Sequence, residues 1–254
     1  MSYTVLARRY RSETFDEVIG QEAVSRTLKN AIETDHVAHA YIFNGTRGVG
    51  KTTMARILAK ALNCLNSDNT TATPCLKCES CTAISEGSDI DVIEIDGAST
   101  NGVDHIRELR QNAIYRPARA RFKIYIIDEV HMLSNAAFNA LLKTLEEPPR
   151  HVKFILATTE PNKILPTILS RCQRFDFRSM QVADVVLGVN NVLKGEGLTA
   201  EDALVRRIGR LANGSMRDAL SLLDQLLSME GDTLTLDMLY ELLGTPRIDG
   251  IIAL

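Results

Sequence analysis

The chain has 254 residues, of which 45% are hydrophobic and 24% charged, and its formal net charge at pH 7 is −3. These values are typical of a globular protein with one large core, or a core domain with a smaller partner, and they exclude a protein that is basic all over. No stretch approaches the ~18 apolar residues that a membrane span needs. We therefore expect a cytoplasmic protein with no membrane partner.

Five short apolar runs alternate with helical patterns between residues 37 and 178. Alternation of strands with helices predicts an α/β fold, with a parallel sheet covered by helices on both faces. The expected strands are Ala40–Phe43, Asp91–Ile95, Lys123–Ile127, Lys153–Ala157 and Arg174–Phe177.

Residues 45–52 fit the phosphate-binding pattern GxxxxGK[ST], between the first run and a helical stretch. Glycines let backbone N–H groups turn inward around phosphate oxygens, and the positive end of the helix adds to that attraction. Lys51 would reach the β- and γ-phosphates, and Thr52 would bind Mg²⁺. A chance glycine-rich turn is the alternative, against which both flanking elements argue. The predicted nucleotide contacts are Gly45, Thr46, Arg47, Gly48, Val49, Gly50, Lys51, Thr52 and Thr53.

Four of the five cysteines follow the spacing C-x10-C-x2-C-x2-C. Four thiolates suit a closed tetrahedral Zn²⁺ site, in which no position is left open for catalysis. An iron–sulfur cluster or free thiols are the alternatives, but the ferredoxin spacing differs. We expect a structural zinc module over about residues 64–88, held by Cys64, Cys75, Cys78 and Cys81. Cys172 stands apart and is interpreted as a small buried residue.

The third run ends in Asp128-Glu129, at the carboxyl end of the sheet where ligands bind. Asp128 would hold Mg²⁺, and Glu129 would polarise an attacking water. The alternative is two solvated acids that cap the next helix. His131 follows closely and is interpreted as structural.

The fourth run is followed by Thr159, whose hydroxyl could contact the water or the γ-phosphate, or could merely finish the strand. Arg171 precedes the last strand, and by itself it indicates no more than a structural ion pair. Arg217 lies in the first helical turn after an S-x-x-D cap, where the helix dipole disfavours a cation. An anionic partner such as a nucleotide phosphate would explain it, and so would a surface salt bridge.

After residue 179 only helical patterns remain, and they predict a small helical domain over residues 179–243. Residues 244–254 read as a linker. The expected helices are Val182–Leu193, Glu201–Ala212, Met216–Met229 and Leu234–Leu243.

The chain resembles the gamma/tau clamp-loader ATPases of bacterial DNA polymerase III. The resemblance covers nearly the whole length and includes LARRYRSETFDEVIGQE, GTRGVGKT, the cysteine insertion, IIDEVHMLS, FNALLKTLEEPP, LATTEP, ILSRC and GSMRDALSLLDQ. It implies an AAA+ fold, with a five-stranded ATPase domain over residues 1–178 that carries the zinc insertion, followed by a helical lid over 179–243.

In that family Thr159 would be sensor 1 and Arg217 sensor 2. Arg171 would be the arginine finger that reaches the ATP of a neighbouring subunit. The stretch Tyr3–Gln21 would lie against the adenine and ribose. Within it, the expected contacts are Ala7, Arg11, Val18 and Ile19.

The resemblance also implies function. The chain would bind and hydrolyse ATP with Mg²⁺, to open the sliding clamp and place it on primed DNA. Its partners would be other copies of itself, the delta and delta-prime subunits, the clamp and primer–template DNA. Ser12 stands where the family usually has proline, and Thr100, Asn101 and Gly102 are uncharged where relatives often carry basic residues. DNA contacts at that spot are therefore not predicted.

Three other classes compete. Another AAA+ motor, such as a branch-migration or helicase-loading ATPase, would lack the cysteine insertion. A catalytically dead clamp-loader scaffold would not need intact Lys51, Thr52, Asp128 and Glu129. A small-molecule P-loop kinase would need neither the SRC motif nor a helical lid that bears an arginine.

Overall fold

A computed structural model describes residues 3–229 and 233–244. All of the expected linker except Gly244 lies outside the described residues. Up to residue 128 the elements are α1 (Leu6–Arg9), α2 (Glu22–Glu33), β1 (Ala40–Asn44), α3 (Lys51–Asn63), α4 (Glu79–Glu86), β2 (Val92–Asp96), α5 (Val103–Ala113) and β3 (Lys123–Asp128). They continue with α6 (Asn135–Glu146), β4 (Val152–Thr158), α7 (Pro166–Leu169), β5 (Gln173–Asp176), α8 (Val182–Glu196), β6 (Thr199–Ala200), α9 (Asp202–Leu211), α10 (Met216–Leu227), β7 (Thr233–Leu234) and α11 (Leu236–Leu243).

The described chain divides into two compact units, one formed by residues 12–178 and the other by residues 3–11 together with residues from 179 onward. No described helix combines the length and the apolar character that crossing a bilayer would require.

The first unit is built on a five-stranded parallel sheet in the order β2-β3-β4-β1-β5. This confirms the predicted α/β architecture, with strand ends that shift by one residue. In the register, Asn44 lies opposite both Thr158 and Asp176, and Asp96 lies opposite Asp128. The carboxyl ends of the strands therefore meet along one edge, which is where parallel sheets bind ligands.

Each face of this sheet is covered by its own apolar cluster. In β1, Tyr41 and Phe43 pack with α2 and α3, whereas Ile42 packs on the opposite face with α5 and α6. β4 is buried at every position. Burial on both faces explains why β1, β3 and β4 read as continuous apolar runs, whereas the outer strands β2 and β5 are partly exposed and contain charged residues.

The second unit is helical, with a core formed by α8 to α11. The predicted ATPase domain over residues 1–178 was wrong at its start, because α1 belongs to this unit. Leu6 is fully buried in the helical core, and its backbone N–H donates to Asp224 Oδ2 at 2.9 Å. The Tyr3 hydroxyl donates to Asp224 Oδ1 at 2.6 Å.

The second unit also contains strands, which the sequence reading did not predict. Thr199 and Ala200 pair in parallel with Thr233 and Leu234. Two-residue strands are too short to produce a recognisable alternation of polar and apolar residues.

Candidate active site and metal centre

The phosphate-loop sequence connects β1 to the start of α3, as predicted. Gly50 precedes the helix with a φ of 101°, a left-handed conformation that glycine adopts without strain. At the other end of the loop, a Cβ on Gly45 would lie 2.7 Å from the carbonyl oxygen of Phe177. The loop therefore requires glycine at both ends. Thr46 and Arg47 are exposed, Gly48 is half-buried and Val49 is fully buried beneath them.

Lys51 is buried, and its ammonium curls back over the loop. Nζ donates to the carbonyl oxygens of Gly45 at 2.7 Å and Thr46 at 2.9 Å. These contacts hold the positive charge against the first residues of the loop, where phosphate oxygens would replace the carbonyl oxygens as its partners.

Thr52 meets the acidic end of β3. Its Oγ1 donates to Asp128 Oδ2 at 2.6 Å, so two oxygens that suit Mg²⁺ converge from separate elements. Thr53, the next residue on α3, is half-buried. The donor set fits a magnesium ion bound beside the phosphate loop.

Glu129 turns sharply away from β3 with a φ of 45°, an uncommon conformation for a residue other than glycine. Space for this turn comes from Gly97, because a Cβ there would lie 2.7 Å from the Glu129 carbonyl oxygen. Thr159 Oγ1 donates to Glu129 Oε2 at 3.1 Å. The structure thus brings together Glu129 and Thr159, which are 30 residues apart in sequence.

His131 lies beside the same carboxylate, a placement that the sequence reading missed. Its Nδ1 is 3.4 Å from Glu129 Oε2 and 3.0 Å from Thr158 Oγ1. In the sequence, only the position of His131 two residues after Asp128-Glu129 could have suggested that it lies beside this carboxylate.

Arg171 lies between α7 and β5 and is half-buried. Its guanidinium pairs with Glu146 at 2.8 Å and donates to the carbonyl oxygen of Thr167 at 2.6 Å. Cys172 is half-buried rather than buried, although burial still raises the pKa of its thiol to about 12.

The other predicted nucleotide contacts are divided between the units. Val18 and Ile19 belong to the first, where Val18 is buried in the core. Ala7, Arg11 and Arg217 belong to the second. Arg217 is exposed in the first turn of α10, behind a cap in which Ser215 Oγ accepts from the Asp218 backbone N–H at 3.2 Å.

The four clustered cysteines converge, and their Sγ atoms all lie within 4.8 Å of one another. Backbone N–H groups point at the sulfurs, with distances of 3.3 Å from Cys78 N to Cys75 Sγ and 3.4 Å from Cys75 N to Cys64 Sγ. Backbone N–H donors, chiefly that of Lys77, lower the pKa of Cys75 to about 6, whereas burial raises the pKa of Cys81. Sulfurs at Zn–S bonds of ~2.3 Å fit this spacing, and Zn²⁺ is the ion that the four thiols suit best.

Two arginines that were not predicted from the sequence hold this insertion in place through hydrogen bonds and ion pairs. The guanidinium of Arg121 donates to the carbonyl oxygens of Leu62, Cys64, Ser67 and Asn69, at 2.6–3.2 Å. Arg119 pairs with Asp89 and Glu79. The residues that close the cysteine loop are thus held to the start of β3.

Two family models and several curated relatives that match the chain carry the description of DNA polymerase III subunits. A family model described as DNA polymerase III, delta subunit, matches residues 20–181, and the ATPase lid domain of the DNA polymerase III clamp loader subunit matches residues 185–232. DNA polymerase III subunit tau of Bacillus subtilis is 52% identical, over 93% of this chain and 42% of that protein. Subunit gamma of Buchnera aphidicola subsp. Schizaphis graminum is 46% identical, over 97% of this chain and 68% of that protein.

The chain therefore spans about two fifths of tau subunits such as that of Escherichia coli, where the match covers 39% of the relative. Among solved structures, the RuvB Holliday junction branch migration motor of Thermotoga maritima matches with a TM-score of 0.66 and 20% identity, over 92% of this chain and 72% of that one. At this identity the likeness concerns the fold alone.

Proposed function

The chain belongs to the tau/gamma family of DNA polymerase III clamp-loader subunits, and from that premise we propose that it is an ATP-hydrolysing motor subunit. Its ATP cycle would open the sliding clamp and place it on primed DNA. The partners would be further copies of itself, the delta and delta-prime subunits, the clamp and primer–template DNA. One observation carries the proposal: Thr52 and Asp128 meet at 2.6 Å beside the loop that holds the Lys51 ammonium.

The phosphates of ATP would bind at the phosphate loop, residues 45–52. Its backbone N–H groups and Lys51 offer positive charge to the β- and γ-phosphates, while Thr52 and Asp128 would hold Mg²⁺. When bound, this ion neutralises charge on the phosphate oxygens. Within the first unit, the base and ribose would lie against Val18 and Ile19. Nucleotide contacts of Ala7, Arg11 and Arg217 stay predictions from the family resemblance.

Hydrolysis requires a water in line with the γ-phosphorus. Glu129 would accept a hydrogen bond from that water, because its carboxylate adjoins Asp128 and is held through Oε2 by Thr159. Charge that develops on the γ-phosphoryl oxygens would be stabilised by Lys51 and by Arg171 of the neighbouring subunit.

The cysteine cluster would hold a structural Zn²⁺, since all four ligand positions are filled by protein. We propose no catalytic step there. The insertion lies far along the chain from the acidic residues, and its contacts with Arg121 serve to fix its position.

The experiment is an ATP turnover measurement on the full-length protein, alone and assembled with delta, delta-prime, clamp and primed DNA. Turnover should rise on assembly, and Lys51→Ala should weaken ATP binding severely because it removes the charge at the centre of the loop. Unchanged ATP affinity of Lys51→Ala by calorimetry would overturn the assignment of the loop.

A further inference from the structure

We propose that His131 is a positioning residue for Glu129, and that it links this carboxylate to the end of β4. The inference rests on the proposed ATP hydrolysis and adds a residue to it. His131 follows the acidic pair in a short 3₁₀ turn, Val130–Met132, and its side chain is only 5% exposed.

Polar groups contact both nitrogens of the buried ring. Nδ1 is 3.0 Å from Thr158 Oγ1 and 3.4 Å from Glu129 Oε2, and Nε2 is 3.4 Å from Glu160 Oε1. Burying an imidazole without such partners would be costly. All of these partners come from the end of β3 or from the end of β4, so the ring bridges the two strand ends.

The bridge reaches the residues that flank Thr159. Thr158 is fully buried, and its Oγ1 also accepts from the backbone N–H of Glu160 at 3.0 Å. Thr159 donates a hydrogen bond to Glu129, and His131, which contacts Thr158, lies beside the same carboxylate oxygen. Both contacts of Glu129 therefore depend on one segment, residues 158–160. A change in that segment, such as contact with a γ-phosphate, would be transmitted to Glu129 along two routes.

The contacts of Glu129 are unequal at its two oxygens. Thr159 and His131 both approach Oε2, while no donor among the described residues contacts Oε1. This arrangement leaves one oxygen to accept a hydrogen bond from water. A third group that orients a base is a common feature of catalytic sites.

The distance from His131 to Glu129 is longer than the ~2.9–3.0 Å of a well-formed N–H···O bond. The imidazole is therefore in close contact with the carboxylate without a hydrogen bond to it, and it limits the orientations of the carboxylate without fixing one. Because the left-handed backbone at Glu129 turns the residue away from the strand, these side-chain contacts set the direction of its carboxylate.

His151 provides a contrast, since its Nε2 lies 3.1 Å from the backbone carbonyl oxygens of Ala113 and Tyr115. It contacts no residue of the candidate active site in the part of the chain that the structure describes. His151→Ala is therefore the matched control for a histidine with a structural role.

The test compares three variants of His131 and the control His151→Ala, in the full-length protein assembled with delta, delta-prime, clamp and primed DNA. His131→Ala should lower kcat roughly ten- to hundredfold, as expected for a displaced catalytic group, with the Kd for ATP changed less than about twofold. His131→Asn keeps a polar atom near the position of Nδ1 and should recover most of kcat. His131→Gln reaches toward the position of Nε2 and should recover less. His151→Ala should keep the wild-type kcat.

A double variant separates positioning from structure. In a Glu129→Gln background, His131→Ala should cost nothing further, because the carboxylate that it positions is already gone. If the losses in kcat add in the double variant, or if His131→Ala keeps the wild-type kcat, the proposed role of His131 is overturned. The proposed ATPase function is not affected by either result. If His131→Ala does not fold, a kcat for His131→Gln that equals or exceeds that of His131→Asn would overturn the proposed role of His131. A wild-type assembly that neither binds nor hydrolyses ATP would instead overturn the proposed function.

Discussion

The guanidinium of Arg171 forms an ion pair with Glu146 at 2.8 Å, which joins the end of α6 to the segment that precedes β5. A second contact, from Arg171 to the Thr167 carbonyl oxygen at 2.6 Å, fixes the plane of the group. The side chain remains 34% exposed. An arginine held in this way at a surface is suited to act on a neighbouring molecule.

We therefore predict that Arg171 acts in trans. In the assembled complex, Arg171→Ala should leave the ATP affinity of its own subunit nearly unchanged and impair hydrolysis next door. Arginine fingers in GTPases contribute ~10³–10⁵-fold in rate, and we expect a smaller loss here because the proposed site also has the charge of Lys51. Arg174→Ala is a matched control, since Arg174 is an exposed arginine paired with Asp176.

A defined pair of subunits makes this prediction decisive. One subunit carries Arg171→Ala and its neighbour carries Lys51→Ala. The composite site joins the phosphate loop of one subunit to Arg171 of its neighbour. In one order, the Arg171→Ala subunit supplies an intact loop and the Lys51→Ala subunit supplies an intact arginine. In the other order, both substitutions fall in the composite site. ATP turnover that does not depend on the order would exclude action in trans.

Glu129→Gln should separate binding from hydrolysis. The amide keeps the shape of the side chain but loses the charge that orients water, so ATP should bind normally and turn over at least about a hundredfold more slowly. Calorimetry gives the affinity, and single-turnover phosphate release gives the chemical step. Wild-type turnover in this variant would mean that another group acts on the water.

Metal analysis tests the cysteine cluster. The purified protein should contain about one zinc ion per chain, and Cys78→Ser should lower that content and the Tm. ATP affinity should change little, because the cluster supplies no group to the phosphate loop. Cys172→Ser is the control, since Cys172 lies outside the cluster. A metal-free protein with the wild-type Tm would contradict the assignment.

Asp224→Ala should release the start of the chain from the helical unit. The carboxylate accepts from the Leu6 backbone N–H and from the Tyr3 hydroxyl. A hydrogen bond to a charged group contributes about 1.5–3 kcal/mol, so amide exchange in residues 3–11 should accelerate roughly tenfold or more. Asp202→Ala, an exposed acid of the same unit, should not change it. Equal exchange rates in the two variants would refute the docking role of Asp224.

Much of the site could be predicted from the sequence because its signals are local. The spacing from Gly45 to Thr52 and that from Cys75 to Cys81 place the predicted ligands within a few residues of each other, where backbone geometry leaves little freedom. Apolar runs predicted β1, β3 and β4, because strands that are buried on both faces require apolar side chains throughout. The signal is weaker for the outer strands β2 and β5, which are partly exposed.

Only the tertiary structure decided which distant residues meet. The backbone N–H of Leu6 donates to Asp224, 218 residues along the chain. Arg121 donates to the carbonyl oxygen of Asn69, 52 residues away, and His131 contacts Thr158, 27 residues away. No local periodicity encodes such pairs, since each side chain alone is compatible with an exposed position. They form because strand order and helix packing bring their backbones together, and burial then favours the polar groups that can bond to one another.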